Sequence, residues 1–194
     1  MAKANITVGV YAGIISGFVG GNGGILLRRR TETSSIIPGK SFKGCWELPG
    51  GGIRETEEKE ISYHYAVTEL IREVIEELGV VKVYIKPTPA FYPVMFKGPA
   101  GYDLAMVTVI NTSDIVHEGP IKADCAFASP QEVNEEAKNF VAADKQKGID
   151  GKGLLSGYGK RMHCMALLAL SHSSNPEYAR QASETLAEIQ KQWR

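Results

Sequence analysis

The stretch GGGIRETEEKEISYHYAVTELIREVIEELGV, residues 50–80, decides how this chain folds. Val67, Leu70, Ile71, Val74, Ile75 and Leu78 recur at the spacing of a core-facing helix stripe. Gly79, just past the last turn, supplies a left-handed cap. On the other face Glu73 and Glu77 stand four apart and Glu73 and Glu76 three apart, spacings at which like charges repel. A solvated face is the plain alternative for any Glu-rich helix. Fold stability does not require three carboxylates here, whereas a hard divalent cation with oxygen ligands, Mg²⁺ or Mn²⁺, turns the repulsion into a binding site.

Three neighbours favour the metal. Arg72 adjoins the cluster and can orient a carboxylate through charge-assisted hydrogen bonds. Upstream, Trp46-Glu47-Leu48-Pro49-Gly50-Gly51-Gly52 is a rigid turn followed by glycines that admit close backbone approach. The short separation lets one strand-loop-helix unit bring turn and cluster together.

This segment resembles the Nudix box of the Nudix hydrolase superfamily. That box reads Gly, five residues, Glu, seven residues, then Arg-Glu-aliphatic-any-Glu-Glu-any-Gly-aliphatic. Gly51 and Glu57 match the first spacing, and Arg72 to Val80 match the whole final block. Fourteen residues, Glu58 to Ile71, lie between Glu57 and Arg72, seven more than in the family. Seven residues are close to two turns at ~3.6 residues per turn. One possibility is therefore a longer helix capped by Thr56, with Glu57, Glu58 and Glu60 near its positive end. The other is a loop before Ser62. A longer helix carries Glu57 away from the cluster and puts His64 at the family glutamate's place, as an exposed residue rather than a ligand.

Around the box, Ile6 to Ile15 is an apolar run after Lys3. The apolar run continues to Val19 and contains Gly9, Gly13 and Gly17, no convincing small-x-small cleavage site follows it, and it is too short to span a bilayer as a helix. Ile6 to Ile15 reads as a buried strand that turns near Gly20–Gly24 and returns as Ile25 to Arg30. Arg28, Arg29 and Arg30 read as a strand emerging into solvent, with some facing substrate phosphates as the alternative. Thr31 to Gly44 is a loop. After the box come Val80 to Ile85, Pro87 to Phe96, and a strand Leu104 to Ile110 that forms a hairpin through the turn 97–101. Ser129-Pro130-Gln131-Glu132 is a capping box with proline at the first helical position. Gly151-Lys152 and Gly159-Lys160 lack the Ser or Thr of a phosphate loop, so 145–160 is a connector or a loop over the site mouth. Arg161 to Leu170 reads as a buried helix in which His163 packs. Asn175-Pro176-Glu177 opens a last helix with Tyr178, Ala182, Leu186, Ile189 and Trp193 on one stripe. That stripe docks on the domain or on a second subunit, as in a homodimer.

Lys plus Arg and Asp plus Glu number 22 each, which favours neither long nucleic acid nor a membrane. Cys45, Cys125 and Cys164 form no CxxC pair, which speaks against disulfides and zinc and suits a reducing cytoplasm. At 194 residues with 43% hydrophobic content, the chain suits one domain.

The resemblance covers about 6–133, and only 50–80 is highly specific. It implies a single Nudix domain over 1–194 with a helical extension from about 137, built as an α/β/α sandwich with a mixed sheet between helices. It implies hydrolysis of the pyrophosphate in a nucleoside diphosphate linked to another group, with ADP-ribose or a nucleotide sugar favoured. Glu73, Glu76 and Glu77 would hold Mg²⁺ (or Mn²⁺), with the Gly50 carbonyl as a further ligand, and Arg72 would orient them. A general base outside the box is typical of the family, and Glu118 is the candidate, although an exposed loop glutamate is its simpler reading. Phe91, Tyr92, Phe96 and Tyr102 either stack on a base or pack the hairpin. The competing function is a Nudix-like module that senses a nucleotide or binds a protein without turnover. RNA decapping finds no support in the neutral charge, and isopentenyl diphosphate isomerisation needs residues the sequence does not place.

Overall fold

A computed structural model describes residues 6–16, 24–31, 43–53, 61–85, 89–98, 101–116, 121–144 and 160–192. The first apolar run forms β1 (Ile6–Ile15), which pairs in parallel with β7 (Gly101–Asn111) along its whole length, from Ile6↔Tyr102 to Ile15↔Asn111. Along its other edge it meets β2 (Ile25–Arg29) and the glycine strand β4 (Gly50–Gly52), both antiparallel. The expected hairpin joins β6 (Tyr92–Gly98) to β7 with Gly98 opposite Gly101. β3 (Trp46–Glu47) and β9 (Cys125–Ala128) both pair with β2, completing a mixed sheet of seven strands. β5 (Lys82–Val83) and β8 (Ile115–Val116) form a separate ribbon.

β1 is apolar on both faces because both are covered. Val10, Ala12 and Ile14 join Ala66, Leu70, Val74 and Leu78 of helix α1 (Tyr63–Leu78) in one core. On the opposite side, Leu27, Ala105 and Val107 pack with Met165, Ala166 and Leu170 of α3 (Lys160–Ser171). Val133 and Ala137 of α2 (Pro130–Asp144) and Ala182 and Ile189 of α4 (Pro176–Gln192) belong to that second core. The result is the expected α/β/α sandwich, with its mixed sheet between helical layers. The capping box forms: Ser129 N donates to Glu132 Oε2 at 2.7 Å and Glu132 N to Ser129 Oγ at 3.2 Å. Of the α4 stripe, Ala182, Leu186 and Ile189 pack on the same chain.

The long-helix reading of the insertion is corrected. α1 starts at Tyr63, and Ser62, with extended backbone, caps it by accepting from Tyr65 N at 3.2 Å. The reason is packing: residues 54–60 read Arg-Glu-Thr-Glu-Glu-Lys-Glu, with no apolar side chain to lay on the sheet, and a helix unsupported by burial is marginal. Thr56, Glu57 and Glu118 lie outside the described residues, as do most of 17–42, the connector 145–159 and Trp193. His64 is an exposed residue of the first helical turn, as expected.

Gly13 shows how tightly β1 is gripped. A Cβ placed there would collide with Ala169 Cβ on α3. Gly13→Ala should therefore destabilise the fold by about 1–3 kcal/mol in urea denaturation. Adding Ala169→Gly should recover part of that loss, and additive losses would show that the two sites do not touch.

Candidate active site

The site is assembled on β1. Ala12 N donates to Pro49 O at 2.8 Å and Ile53 N to Val8 O at 2.9 Å, holding the glycine turn against the strand. Gly50 sits at φ 139°, and a Cβ there would run into the Val10 carbonyl. A Cβ on Gly51 would lie 3.0 Å from Glu73 Oε1, so the missing side chain leaves the space into which the α1 carboxylate reaches. Gly50 N donates to Glu77 Oε2 at 2.9 Å. Strand-loop-helix thus brings turn and cluster together, as the sequence spacing suggested.

Three arginines pair with the acidic cluster. Arg28 Nη1 on β2 binds Glu77 Oε1 and lies 3.4 Å from Glu47 Oε1 on β3. Arg30 Nη1 lies 3.6 Å from Glu47 Oε2. The solvent-facing reading of these two strand arginines is therefore corrected: the acidic residues beside β2 draw them in. Arg72 Nη2 binds Glu73 Oε1 and Glu69 Oε2, the latter at 3.1 Å, and Nη1 donates to Glu76 Oε2 at 2.8 Å. Hydrogen bonding to Glu69 first, and then to Glu76 and Glu73, raises the Arg72 pKa. Lys122 Nζ donates to Glu76 O at 2.6 Å, satisfying a carbonyl in the last turn of α1.

Of the expected ligands, Glu73 and Glu77 gather at the turn, whereas the Glu76 side chain is 58% exposed and tied to Arg72. Gly50 meets the cluster through its N–H. Sequence reasoning missed Glu47, only 5% exposed, and Glu69. Glu69 carried a signal, since it precedes Glu73 by the same four residues that separate Glu73 from Glu77. Glu47 stands directly opposite Arg28 across the β2–β3 pairing, which a sequence scan does not reveal.

Burial pushes the Glu77 carboxyl up to about 7; the Gly50 N–H and Arg28 oppose the rise, and the charges of Glu47 and Glu73 add to it. The donor set is all carboxylate oxygen and over-supplied with negative charge, which fits a hard divalent cation. As arranged, no three acidic side chains among the described residues are close enough to ligate one ion. A cation held here would have to compete with Arg28 and Arg72 for the carboxylates.

On the α3 side, Tyr11 stands opposite Gly50 in the β1–β4 register. Its hydroxyl accepts from Arg161 Nη2 at 2.8 Å, and Arg161 Nη1 lies 3.7 Å from Asp103 Oδ2. Arg161 Nε is buried without a hydrogen-bond partner. Burial raises the Tyr11 pKa, against the lowering effect of Arg161. Of the expected aromatics, Phe91 meets Tyr63 edge-on at 5.8 Å and Tyr92 stacks on His172 at 3.7 Å, whereas Tyr102 is exposed. His163 is fully buried, with Nε2 3.6 Å from Glu136 Oε1.

No family model and no curated protein matches the chain. Among solved structures it is similar to the NUDIX domain of Shewanella oneidensis NrtR complexed with ADP ribose, at 19% identity and TM-score 0.45, over 69% of this chain and 79% of that one. It is similar to the MutT NUDIX hydrolase of Burkholderia pseudomallei, at 21% identity and TM-score 0.41, over 66% and 85%. A third likeness is to C. elegans Ap4A hydrolase, at 13% identity and TM-score 0.43, over 68% and 86%. At these identities and TM-scores the likenesses carry no conclusion about the reaction. Among the described residues, no helix is long and apolar enough to cross a membrane.

The raised Glu77 pKa has a sign that can be tested. Between its ordinary 4.5 and about 7, the folded chain keeps a proton that the unfolded chain releases, so stability falls as pH rises through that window. In excess chelator the wild type should lose about 1–3 kcal/mol relative to Glu77→Gln between those pH values. Parallel stability-pH curves would show that Glu77 ionises normally.

Proposed function

We propose that the chain belongs to the Nudix superfamily and is a Mg²⁺-dependent pyrophosphohydrolase. Its substrate would be a nucleoside diphosphate linked to another group, with ADP-ribose or a nucleotide sugar favoured by the resemblance. The observation that carries this reading is the meeting of Glu73 and Glu77, both from the matched box, with the Gly50–Gly51 turn. Glu73 and Glu77, with Glu76, would hold the metal, and the Gly50 carbonyl is its proposed further ligand. Bound Mg²⁺ or Mn²⁺ supplies charge neutralisation of the diphosphate and a more acidic attacking water.

The chain's own residues prepare that step. Arg72 holds Glu73 and Glu76 in fixed directions through charge-assisted bonds. The Gly50 N–H fixes one oxygen of Glu77. Arg28 bridges Glu77 and Glu47, and its guanidinium would be a cation available to a substrate phosphate. On the α3 side, Arg161 donates to the Tyr11 hydroxyl, and Tyr11 stands opposite Gly50 in the register. The general base is assigned to a glutamate outside the box, with Glu118 the candidate.

One observation favours the second reading, a nucleotide-sensing or protein-interaction module: both inward carboxylates are already neutralised by arginine. The two readings part on turnover. A screen over ADP-ribose, nucleotide sugars, dinucleoside polyphosphates, NADH and nucleoside triphosphates should find a substrate hydrolysed with Mg²⁺ or Mn²⁺ and not in chelator. Glu77→Gln should lower kcat by about 100-fold or more while circular dichroism stays unchanged. A ligand-induced rise in Tm without hydrolysis would favour the sensing module, and full activity in excess chelator would exclude the metal mechanism.

A further inference from the structure

Building on the metal-binding reading above, we propose that two buried acids the box does not specify, Glu69 and Glu47, are positioning residues. They hold Arg72 and Arg28 in place when Glu73 and Glu77 turn to a cation. Both inward carboxylates of the site carry an arginine, which a cation has to displace. A guanidinium drawn off its carboxylate in a part-buried site needs another partner, because an uncompensated charge there is costly. Each arginine has one, and in each case it is the less exposed acid of the two. The Glu69 side chain is 9% exposed against 17% for Glu73, and Glu47 7% against 12% for Glu77.

Among the described residues, Arg72 makes four hydrogen bonds to carboxylates, and three of them do not involve Glu73. Nε donates to Glu69 Oε1 at 3.4 Å, Nη2 to Glu69 Oε2 at 3.1 Å and Nη1 to Glu76 Oε2 at 2.8 Å. The first two grip one carboxylate from both sides of the fork, which fixes the plane of the guanidinium. Glu69 stands one turn before Glu73 on α1, so anchor and released group share a helix face. Arg28 repeats the arrangement from the sheet. Its Nη1 binds Glu77 Oε1 and also lies 3.4 Å from Glu47 Oε1, so one nitrogen meets both acids. Glu47 stands opposite Arg28 in the β2–β3 register, and Arg30 Nη1 lies 3.6 Å from its other oxygen.

The same device thus occurs twice, once on a helix and once on a sheet. For fold stability alone, one carboxylate per arginine would suffice, and further buried acids would only add desolvation cost. As second partners they let Glu73 and Glu77 come free without leaving Arg72 or Arg28 unpaired. They therefore favour cation binding without ligating the ion.

Isothermal titration of the full chain with Mn²⁺ alone reads the effect apart from turnover. Glu69→Gln and Glu47→Gln should each raise the Mn²⁺ dissociation constant at least tenfold (~1.4 kcal/mol) with unchanged circular dichroism. Glu69→Asp and Glu47→Asp keep the charge but withdraw it from the arginine. They should weaken binding too, and each stands in for its Gln variant should that one not fold. In an Arg72→Gln background, Glu69→Gln should change the constant by no more than about twofold, because no guanidinium is left to hold. A charge acting through space would leave the Asp variants at wild-type affinity and give the same factor in both backgrounds. A static ion pair would lower Tm and leave Mn²⁺ affinity alone. Either result overturns the proposal, as does Mn²⁺ binding that depends on Glu73 and Glu77 but ignores Glu69→Gln or Glu47→Gln. A wild type that binds no Mn²⁺, or binds it equally well after Glu73→Gln and Glu77→Gln, overturns the metal reading and the proposal with it.

Discussion

The constraint on which this molecule depends is the double burial of β1. The strand is paired along both edges and packed on both faces, with one set of alternate side chains serving α1 and the other serving α3. Such a strand has little freedom to shift, because a one-residue slip would exchange the two sets. The glycine turn inherits that rigidity through its bonds to β1, and the α1 carboxylates inherit it through Gly50 and Gly51. Positioning of the acidic groups is therefore a consequence of core packing, which is what a site that must gather like charges requires.

Electrostatics sets the second layer. Glu47, Glu69, Glu73 and Glu77 are drawn out of bulk water close to one another, an arrangement that is unfavourable without compensation. Arg28 and Arg72 supply it from opposite sides, one from the sheet and one from the helix itself. Burial outweighs that compensation at Glu77, whose carboxyl is pushed up to about 7. Arginine suits positions 28 and 72 because its fork can bridge two carboxylates at once, which a lysine ammonium does with less directional control.

Much of this was legible in the residues. β1, the β6–β7 hairpin, the capping box at Ser129 and the last two helices follow from local signals: apolar runs, turn glycines, proline at a first helical position. Glu73, Glu77 and their meeting with the glycine turn follow from helical spacing plus short chain separation. What stayed hidden is non-local. Glu47 joins the cluster only because β3 pairs with β2, and Arg28 turns inward only because that pairing and α1 place acids on both sides of it. The start of α1 was misjudged in its longer version because helical phase alone allows two extra turns. Burial does not, since residues 54–60 offer nothing to bury.

The bare corner of the sheet is the other side of the same design. A helix is about 10–12 Å across and strands lie about 4.8 Å apart, so one helix shields little more than two strands. α1 has to lie over β1 and β4 for Glu73 and Glu77 to reach the glycines, and that choice leaves the outer parts of β6 and β7 beyond its reach. The α3 side faces no such conflict, because α3 contacts β1, β6 and β7 together and is braced by α2 and α4. Moving α1 outward would cover Met95 and Tyr102 and pull the carboxylates off the turn. The apolar surface on that face is thus what the placement of the acidic helix leaves over.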